Sequence, residues 1–401
     1  MIKIDTLDHY GRGIGKINDK IIFIENALPD EIIDPIIVKE KKNYMEGYVK
    51  NYVKKSEKRI KEKCIYFNSC GGCDLLHLEY ENQLKFKMEK VKNIVSKYLN
   101  KHIKINEIIK SDNEFYYRNK ITLKVNNKIG FFEKGSKNIV EINECKLALP
   151  IINNAIKYLK KLDLKYINSI TLRTNSNDLM IIIDANKDID INCIKPIAYS
   201  IYIKRNDVYN LVYGEKYLLE YVDNCKFLVS PDSFFQINLN VCAKLYKKIK
   251  DYTKYAHNIL DLYCGTGTIG IYAHTSNNLL GIEVNKQAIK DANKNIKLNN
   301  ITNAKFICGK SEEILNSIKF NPNIIIVDPP RSGMDKKAIK YILNSKATEI
   351  IYVSCDPMTL VRDLKMLNDK YEILEITPFD MFPNTYHVEC VSLLHRKKTE
   401  K

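Results

Sequence analysis

The stretch EIIYVSCDPM (349–358) is an apolar run that breaks off at Ser354, Cys355, Asp356 and Pro357. Asp is a good helix N-cap and Pro suits the first helical position, so the spacing predicts a strand that delivers Cys355 to a helix N-terminus. A lone Cys is more often a buried structural thiol. A helix start, however, favours thiolate, and lowering a thiol pKa from about 8.5 toward ~7 raises its thiolate fraction from a few per cent to about half. Asp356 would oppose that shift, but the expected direction is down. Cys355 is therefore a candidate nucleophile. A second candidate is Glu389 in PFDMFPNTYHVECVSLL (378–394), an isolated carboxylate between Val388 and Cys390 in a strand-like segment. It is a candidate base, with His387 as runner-up. Asp380, Phe382, Pro383 and His387 read as loop residues at the rim of such a site.

A cofactor signal lies upstream. NILDLYCGTGTIGIYA (258–273) is an apolar strand, a glycine turn and the start of a helix, with Gly265, Gly267 and Gly270 spaced G-x-G-x-x-G. That pattern alone also fits a dinucleotide fold. Glu283 ends the next strand, where a carboxylate can accept from ribose hydroxyls, and Asp328-Pro329-Pro330 ends a later one beyond the sheet's carboxyl edge. With Asp261 before the glycines, the ordered set points to S-adenosylmethionine rather than NAD. A thiolate beside a methyl donor is needed when the target atom is not itself nucleophilic, as at C5 of uracil. Attack of Cys355 on C6 would push electron density to C5. After methylation, Glu389 would remove the C5 proton and release the thiol.

Five motifs in this order, FFQIN (234–238), DLYCGTG (261–267), DPPRSG (328–333), SCDP (354–357) and FPNTYHVE (382–389), resemble those of the bacterial class I RNA uracil-C5 methyltransferases. YRNK (117–120) and GFFEKGS (130–136) extend the resemblance into the middle of the chain. It implies Cys355 as nucleophile and Glu389 as base, with Gln236, Tyr263, Gly265, Glu283 and Asp328 around the cofactor and target uridine. The cytosine-C5 enzymes are similar in chemistry but carry a further cysteine where this chain reads DPPRSG. Adenine-N6 enzymes need no nucleophilic Cys and usually have an aromatic residue where Arg331 stands.

Cys64, Cys70 and Cys73 read C-x5-C-x2-C around Gly71 and Gly72. The spacing leaves zinc and iron–sulfur open: zinc generally wants a second close pair, and His77 is the only local histidine. The family resemblance supplies Cys145 as a fourth ligand and implies a [4Fe-4S] cluster. The expected role is structural or RNA-positioning. The other cysteines, Cys193, Cys225, Cys242, Cys264, Cys308 and Cys390, read as packing thiols.

The elements that must position these groups fall into three blocks. In a chain of 401 residues, 45% of them hydrophobic, more than one core is expected. Residues 1–54 read as a small OB-like β-barrel, resembling the TRAM RNA-binding module. Residues 55–230 carry the cysteines, a helix over 79–101 available to pack with the catalytic domain, and a mixed α+β domain with a helix near 150–161. Residues 231–401 read as a Rossmann-like, doubly wound α/β methyltransferase domain. The net charge of +16 suggests a polyanionic partner, although only 8 of 64 basic residues are Arg, which looks like codon bias. More local is the stretch 41–63, with nine basic and three acidic residues interleaved with Tyr44, Tyr48 and Tyr52. No apolar run approaches the ~20 residues of a membrane span. A cytoplasmic protein with reduced thiols is expected, acting on RNA without an obligate protein partner or membrane. The barrel and the four cysteines favour 23S rRNA, with tRNA as the alternative. A non-catalytic iron–sulfur RNA-binding protein that retains a methyltransferase fold is the rival reading.

Overall fold

The computed structural model describes residues 1–99, 102–310, 314 and 319–398. Five strands open the chain: β1 (Ile2–Leu7), β2 (Gly13–Ile17), β3 (Lys20–Glu25), β4 (Ile32–Glu40) and β5 (Tyr44–Lys54). They close as β1-β2-β3-β5-β4, a barrel with no free edge. Period-two patterning sends Ile2, Ile4, Ile22, Ile24, Ile33 and Met45 inward to form its core.

The cysteine segment then leads into α1 (Tyr80–Tyr98) and the two-residue strand β6 (Lys104–Ile105). The middle of the chain supplies β7 (Lys120–Val125), β8 (Ile129–Phe132), β9 (Ile139–Glu141), α2 (Pro150–Leu159), β10 (Ile167–Thr174), β11 (Leu179–Ala185), β12 (Ser200–Arg205) and β13 (Val208–Gly214). These seven strands form one sheet ordered β13-β12-β11-β10-β7-β8-β9, with α2 packed on it. A hairpin, β14 (Leu218–Val222) and β15 (Cys225–Val229), follows.

The last block alternates α3 (Leu239–Thr253), β16 (Asn258–Leu262), α4 (Thr268–Ala273), β17 (Asn278–Glu283), α5 (Lys286–Leu298), β18 (Ala304–Cys308), β19 (Ile324–Val327), α6 (Lys336–Asn344), β20 (Glu349–Ser354), α7 (Pro357–Leu367), β21 (Tyr371–Phe379) and β22 (Glu389–Arg396). The eight-stranded sheet runs β18-β17-β16-β19-β20-β22-β21-β6. Strands such as Ile324–Val327 are buried throughout because helices cover both faces. The sheet is not wholly parallel: β22 inserts antiparallel between β20 and β21, and β6 joins β21 from far upstream in the chain.

Helix α1 packs on this sheet rather than on the middle domain. Val91, Ile94 and Val95 lie in one core with Leu260, Val327, Leu360 and Leu364. Burying each such side chain contributes about 1.5–3 kcal/mol. The polar side of α1 is tied down by charge. Lys87 is fully buried against Asp380, whose other oxygen accepts from Tyr80 Oη at 2.7 Å, while Lys87 Nζ also donates to the Phe382 carbonyl at 3.0 Å. Asp380 is therefore not a rim residue, as its loop position suggested. It is the buried counter-ion of a lysine almost three hundred residues away. Lys87→Met should cost ~3–5 kcal/mol, because it strands a buried carboxylate. The check is the urea midpoint, and Lys87→Met with Asp380→Leu should recover most of the loss.

No helix among the described residues is long and apolar enough to cross a membrane.

Candidate active site

The chain leaves β16 through a turn that needs left-handed backbone. Tyr263, Gly265 and Gly267 have φ of 61°, 53° and 79°, and Gly267 opens α4. A Cβ placed on Gly265 would meet no heavy atom within 4 Å, so the turn faces open space. Three carboxylates surround it. Glu283 Oε2 accepts from Gly265 N–H at 3.3 Å and its Oε1 from Asn285 N–H at 2.9 Å, leaving lone pairs on both oxygens. Asp261 Oδ2 accepts from Gly270 N–H at 3.1 Å, while buried Oδ1 has no partner among the described residues. Burial, then the charge of Asp328, pushes Asp261 up to about 8. Asp328, at the end of β19, is pushed up to about 7 by burial. Partner-poor carboxylates and an open glycine turn fit the polar end of a nucleoside cofactor. Gln236 is buried in the loop before α3, its carbonyl accepting from Asn119 Nδ2 at 3.2 Å.

Cys355 follows β20 directly. Asp356 caps α7, accepting from Met358 N–H at 2.8 Å and Thr359 N–H at 3.4 Å, and Pro357 takes the first helical turn. Across the sheet, Ser354 pairs with Cys390. Cys355 and Glu389 are therefore the next residues along two adjacent antiparallel strands. The Glu389 charge acts on the Cys355 thiol. Burial, the Glu389 carboxylate and the charges of Asp328 and Asp356 push the Cys355 thiol up to about 12, with Arg331 opposing. The shift runs opposite to the expected one: desolvation and three carboxylates raise the thiol, and the cap carboxylate occupies the N–H groups of the helix start. Glu389, 5% exposed, is pushed up to about 8 by burial and by Asp328, again with Arg331 opposing. His387 is pushed down to about 3 by burial and by Arg331, Lys90, Lys87 and Arg118, which leaves it a weak base.

Arg331, exposed in the DPPRSG loop, served in the sequence only to set the adenine-N6 enzymes apart, yet it also acts on the site. It is the cation that eases ionisation of both Cys355 and Glu389. Arg331→Leu should raise the thiol further. Alkylation of Cys355 by a neutral reagent, followed by peptide mass spectrometry, should then slow severalfold at fixed pH, with partial recovery in Arg331→Lys.

The loop before Glu389 is held by residues from far upstream. Asp74 and Leu75 N–H both donate to the Asn384 carbonyl (3.0 and 3.1 Å), Asn384 N–H donates to Gln83 Oε1 at 2.9 Å, and Asn384 Nδ2 to the Glu114 carbonyl at 2.7 Å. Tyr117 Oη donates to the Pro383 carbonyl at 2.9 Å. Thus the segment that carries Cys73 and the YRNK motif clamps FPNTYHVE directly.

Cys64, Cys70, Cys73 and Cys145 all line one cavity of about 90 Å³, walled by Phe67, Leu76 and Phe131, with Arg118 beside them. Burial pushes Cys64, Cys70 and Cys73 upward, and Cys145 is among the charges acting on each. Among the described residues, no three His, Cys, Asp or Glu side chains are gathered closely enough to hold one metal ion. The expected centre is therefore a shared pocket rather than a formed ligand set. In the basic stretch 41–63, Tyr48 stays 46% exposed, whereas Tyr52 lies under the Arg59 guanidinium at 4.6 Å. Both line a groove of about 1020 Å³ with Lys55, Lys61 and Lys134, between the barrel and the middle domain.

Comparison with known proteins adds the following. The family described as tRNA (uracil-5-)-methyltransferase matches residues 79–397, and the TRAM domain matches residues 1–50. An uncharacterized RNA methyltransferase of Staphylococcus aureus (strain COL) is 35% identical across 98% of this chain and 96% of its own. One from Clostridium tetani is 31% identical across 96% and 93%. Among solved structures, Pyrococcus abyssi tRNA (uracil-54, C5)-methyltransferase with S-adenosyl-L-homocysteine superposes with a TM-score of 0.81 at 30% identity, covering 98% of this chain and 99% of that one.

Proposed function

The chain belongs to the tRNA (uracil-5-)-methyltransferase family, and from that premise we propose that it methylates C5 of a uridine in 23S rRNA through a covalent thioether of Cys355. It is an S-adenosylmethionine-dependent RNA methyltransferase of a family that acts on uracil C5. The observation that carries the mechanistic reading is the coupling of Cys355, Glu389 and Asp328 at one sheet edge beside the open glycine turn.

Gly265, Glu283, Asp261, Asp328, Tyr263 and Gln236 would hold the cofactor. When bound, S-adenosylmethionine supplies an electrophilic methyl group. Cys355 gives up its proton to solvent water and its sulfur adds to C6 of the uracil, so the C5–C6 double bond becomes an enolate nucleophilic at C5. Once C5 carries the methyl group, Glu389 takes the C5 proton. The double bond re-forms and the sulfur leaves C6. Arg331 assists at both ends by lowering the cost of the thiolate and of the carboxylate. Bringing the base into the cleft requires flipping it from its stack, at a cost of a few kcal/mol. The groove lined by Tyr48 and lysines supports a path for the flanking RNA.

The single pocket lined by all four cysteines supports the [4Fe-4S] cluster that the family resemblance implies. Cys64, Cys70, Cys73 and Cys145 would be its ligands. Its service would be structural, fixing the Cys73–Leu75 segment that clamps the catalytic loop. Protein purified without oxygen should contain iron and acid-labile sulfide, and about one equivalent of zinc in their place would reject this assignment.

The TRAM barrel and the four-thiol pocket support the rRNA branch. The likeness to the Pyrococcus abyssi enzyme along the whole chain, barrel included, favours tRNA as a second reading. Unmodified 23S rRNA and tRNA, incubated separately with S-adenosylmethionine and digested for nucleoside mass spectrometry, decide between them. 5-Methyluridine from rRNA alone is expected, from tRNA alone would move the substrate, and from neither would return the non-catalytic reading.

A further inference from the structure

Tyr10 brings the barrel to the candidate active site. Tyr10 sits at the tip of the β1–β2 turn and meets the Tyr386 ring of the FPNTYHVE loop edge-on, with centroids 5.3 Å apart at 86°. Tyr386 in turn lies 4.2 Å from the His387 ring, which contacts Phe382 at 5.8 Å. This aromatic row begins on the barrel and runs along the loop that leads into Glu389. Tyr386 is close enough to Arg331 and Asp356 for both charges to act on it, so the row borders the Cys355 end of the cleft.

Tyr10 remains 58% exposed, although the turn behind it is tightly built. Asp8 Oδ1 accepts from the backbone N–H of Tyr10 and Arg12 at 2.9 and 2.8 Å, and Oδ2 accepts from Arg12 Nε at 2.8 Å. Gly11, at φ +82°, lets the turn lie against Leu75, whose Cδ2 would be 2.7 Å from any Cβ there. Leu75 also clamps Asn384, so turn and catalytic loop share one anchor. A ring whose only task was to seal the barrel against the loop would be covered. This one is ordered in advance and left open. Cations flank the row: Arg12 is 5.7 Å from the Tyr10 ring and Lys90 Nζ 4.9 Å from the Tyr386 ring.

We propose that Tyr10, buttressed edge-on by Tyr386, is a stacking shelf for a nucleobase adjacent to the one that enters the site. The inference rests on the reading of this protein as an RNA uracil methyltransferase. Flipping one base leaves its neighbours without a stacking partner, and an exposed, preset aromatic ring at the cleft mouth can replace it for any base. Tyr10 is thus a positioning residue contributed by the barrel, and it makes the barrel part of the site rather than a remote tether.

The test is steady-state methylation of the unmodified RNA accepted by the wild-type protein, with Tyr10→Leu and Tyr10→Phe. Tyr10→Leu should raise the KM for RNA about tenfold, the scale of one lost base stack. The KM for S-adenosylmethionine and kcat should stay within about twofold of wild type on that same basis, and Tyr10→Phe should restore the RNA KM. With 2-aminopurine beside the target uridine, fluorescence should be quenched on binding by wild type and the Phe variant but not by Leu. An unchanged RNA KM in Tyr10→Leu, or a Phe variant no better than Leu, would overturn the shelf while methylation itself stands. A wild-type protein that methylates no RNA would remove the functional reading and the shelf together.

Discussion

Replacing Cys355 by Ala should abolish methyl transfer, by a factor on the order of 10⁴ or more, together with covalent capture of RNA containing 5-fluorouridine. Fluorine at C5 cannot be removed as a proton, so the thioether persists in the wild-type enzyme and should be absent from the variant. Cys355 follows β20 beside Glu389, and the neighbouring thiol, Cys390, is buried opposite Ser354. Continued capture by the variant would transfer the nucleophile to another thiol. The pH dependence carries a separate signature. Burial and neighbouring carboxylates hold the thiol up to about 12, so its thiolate fraction rises about tenfold per pH unit through the neutral range. Capture rates should climb accordingly between about pH 6 and about pH 9, without the plateau near ~7 that an activated thiolate would give.

Glu389→Gln should have the second-largest effect and a different appearance. Attack and methylation do not need the carboxylate, but removal of the C5 proton does. Turnover should fall about 10²–10⁴-fold, while a covalent protein–RNA adduct accumulates on ordinary uridine RNA. An SDS-stable band shift with unmodified RNA, weak in wild type and strong in the Gln variant, is the readout. A variant that forms no adduct would instead assign Glu389 to the attack step. In wild type, burial and the Asp328 charge hold Glu389 up to about 8. Its basic form therefore grows as pH rises toward that value. Product release in rapid-quench single turnovers should increase about tenfold per unit below about 8 and level off above it.

Much of the site was legible because it is written locally. The left-handed turn at Gly265 and Gly267, the Asp356 cap with Pro357 behind it, and the alternating strands of the barrel are each decided within a few residues. What was not legible depends on partners distant in sequence. The thiol's raised pKa comes from burial and from carboxylates on β19 and β22, which the strand–helix junction does not announce. Asp380 looked like a rim residue because its partner, Lys87, belongs to α1. Antiparallel β22 and the edge strand β6 escape a reading built on strand–helix alternation, since neither is joined to its neighbour by a crossover helix. Glu389 was found for a local reason, an isolated charge in an apolar strand, and it is indeed buried.

The path of α1 and β6 bears on how such a chain could be inherited. Cut near residue 230, the sequence divides neatly, but the folded molecule does not. The catalytic sheet would lose its outermost strand, its α1 face would lie bare, and the loop before Glu389 would be missing Asp74, Gln83 and Tyr117. Recombination at that boundary would transplant the methyl-transfer motifs without the residues that keep them in place. Exchange of the barrel among relatives would have to match the packing of Leu28 on Leu75 and Leu78 and the bond from Lys134 to Asn26 as well as the Tyr10 turn, and residues 70–120 and 231–398 have to travel as one heritable unit.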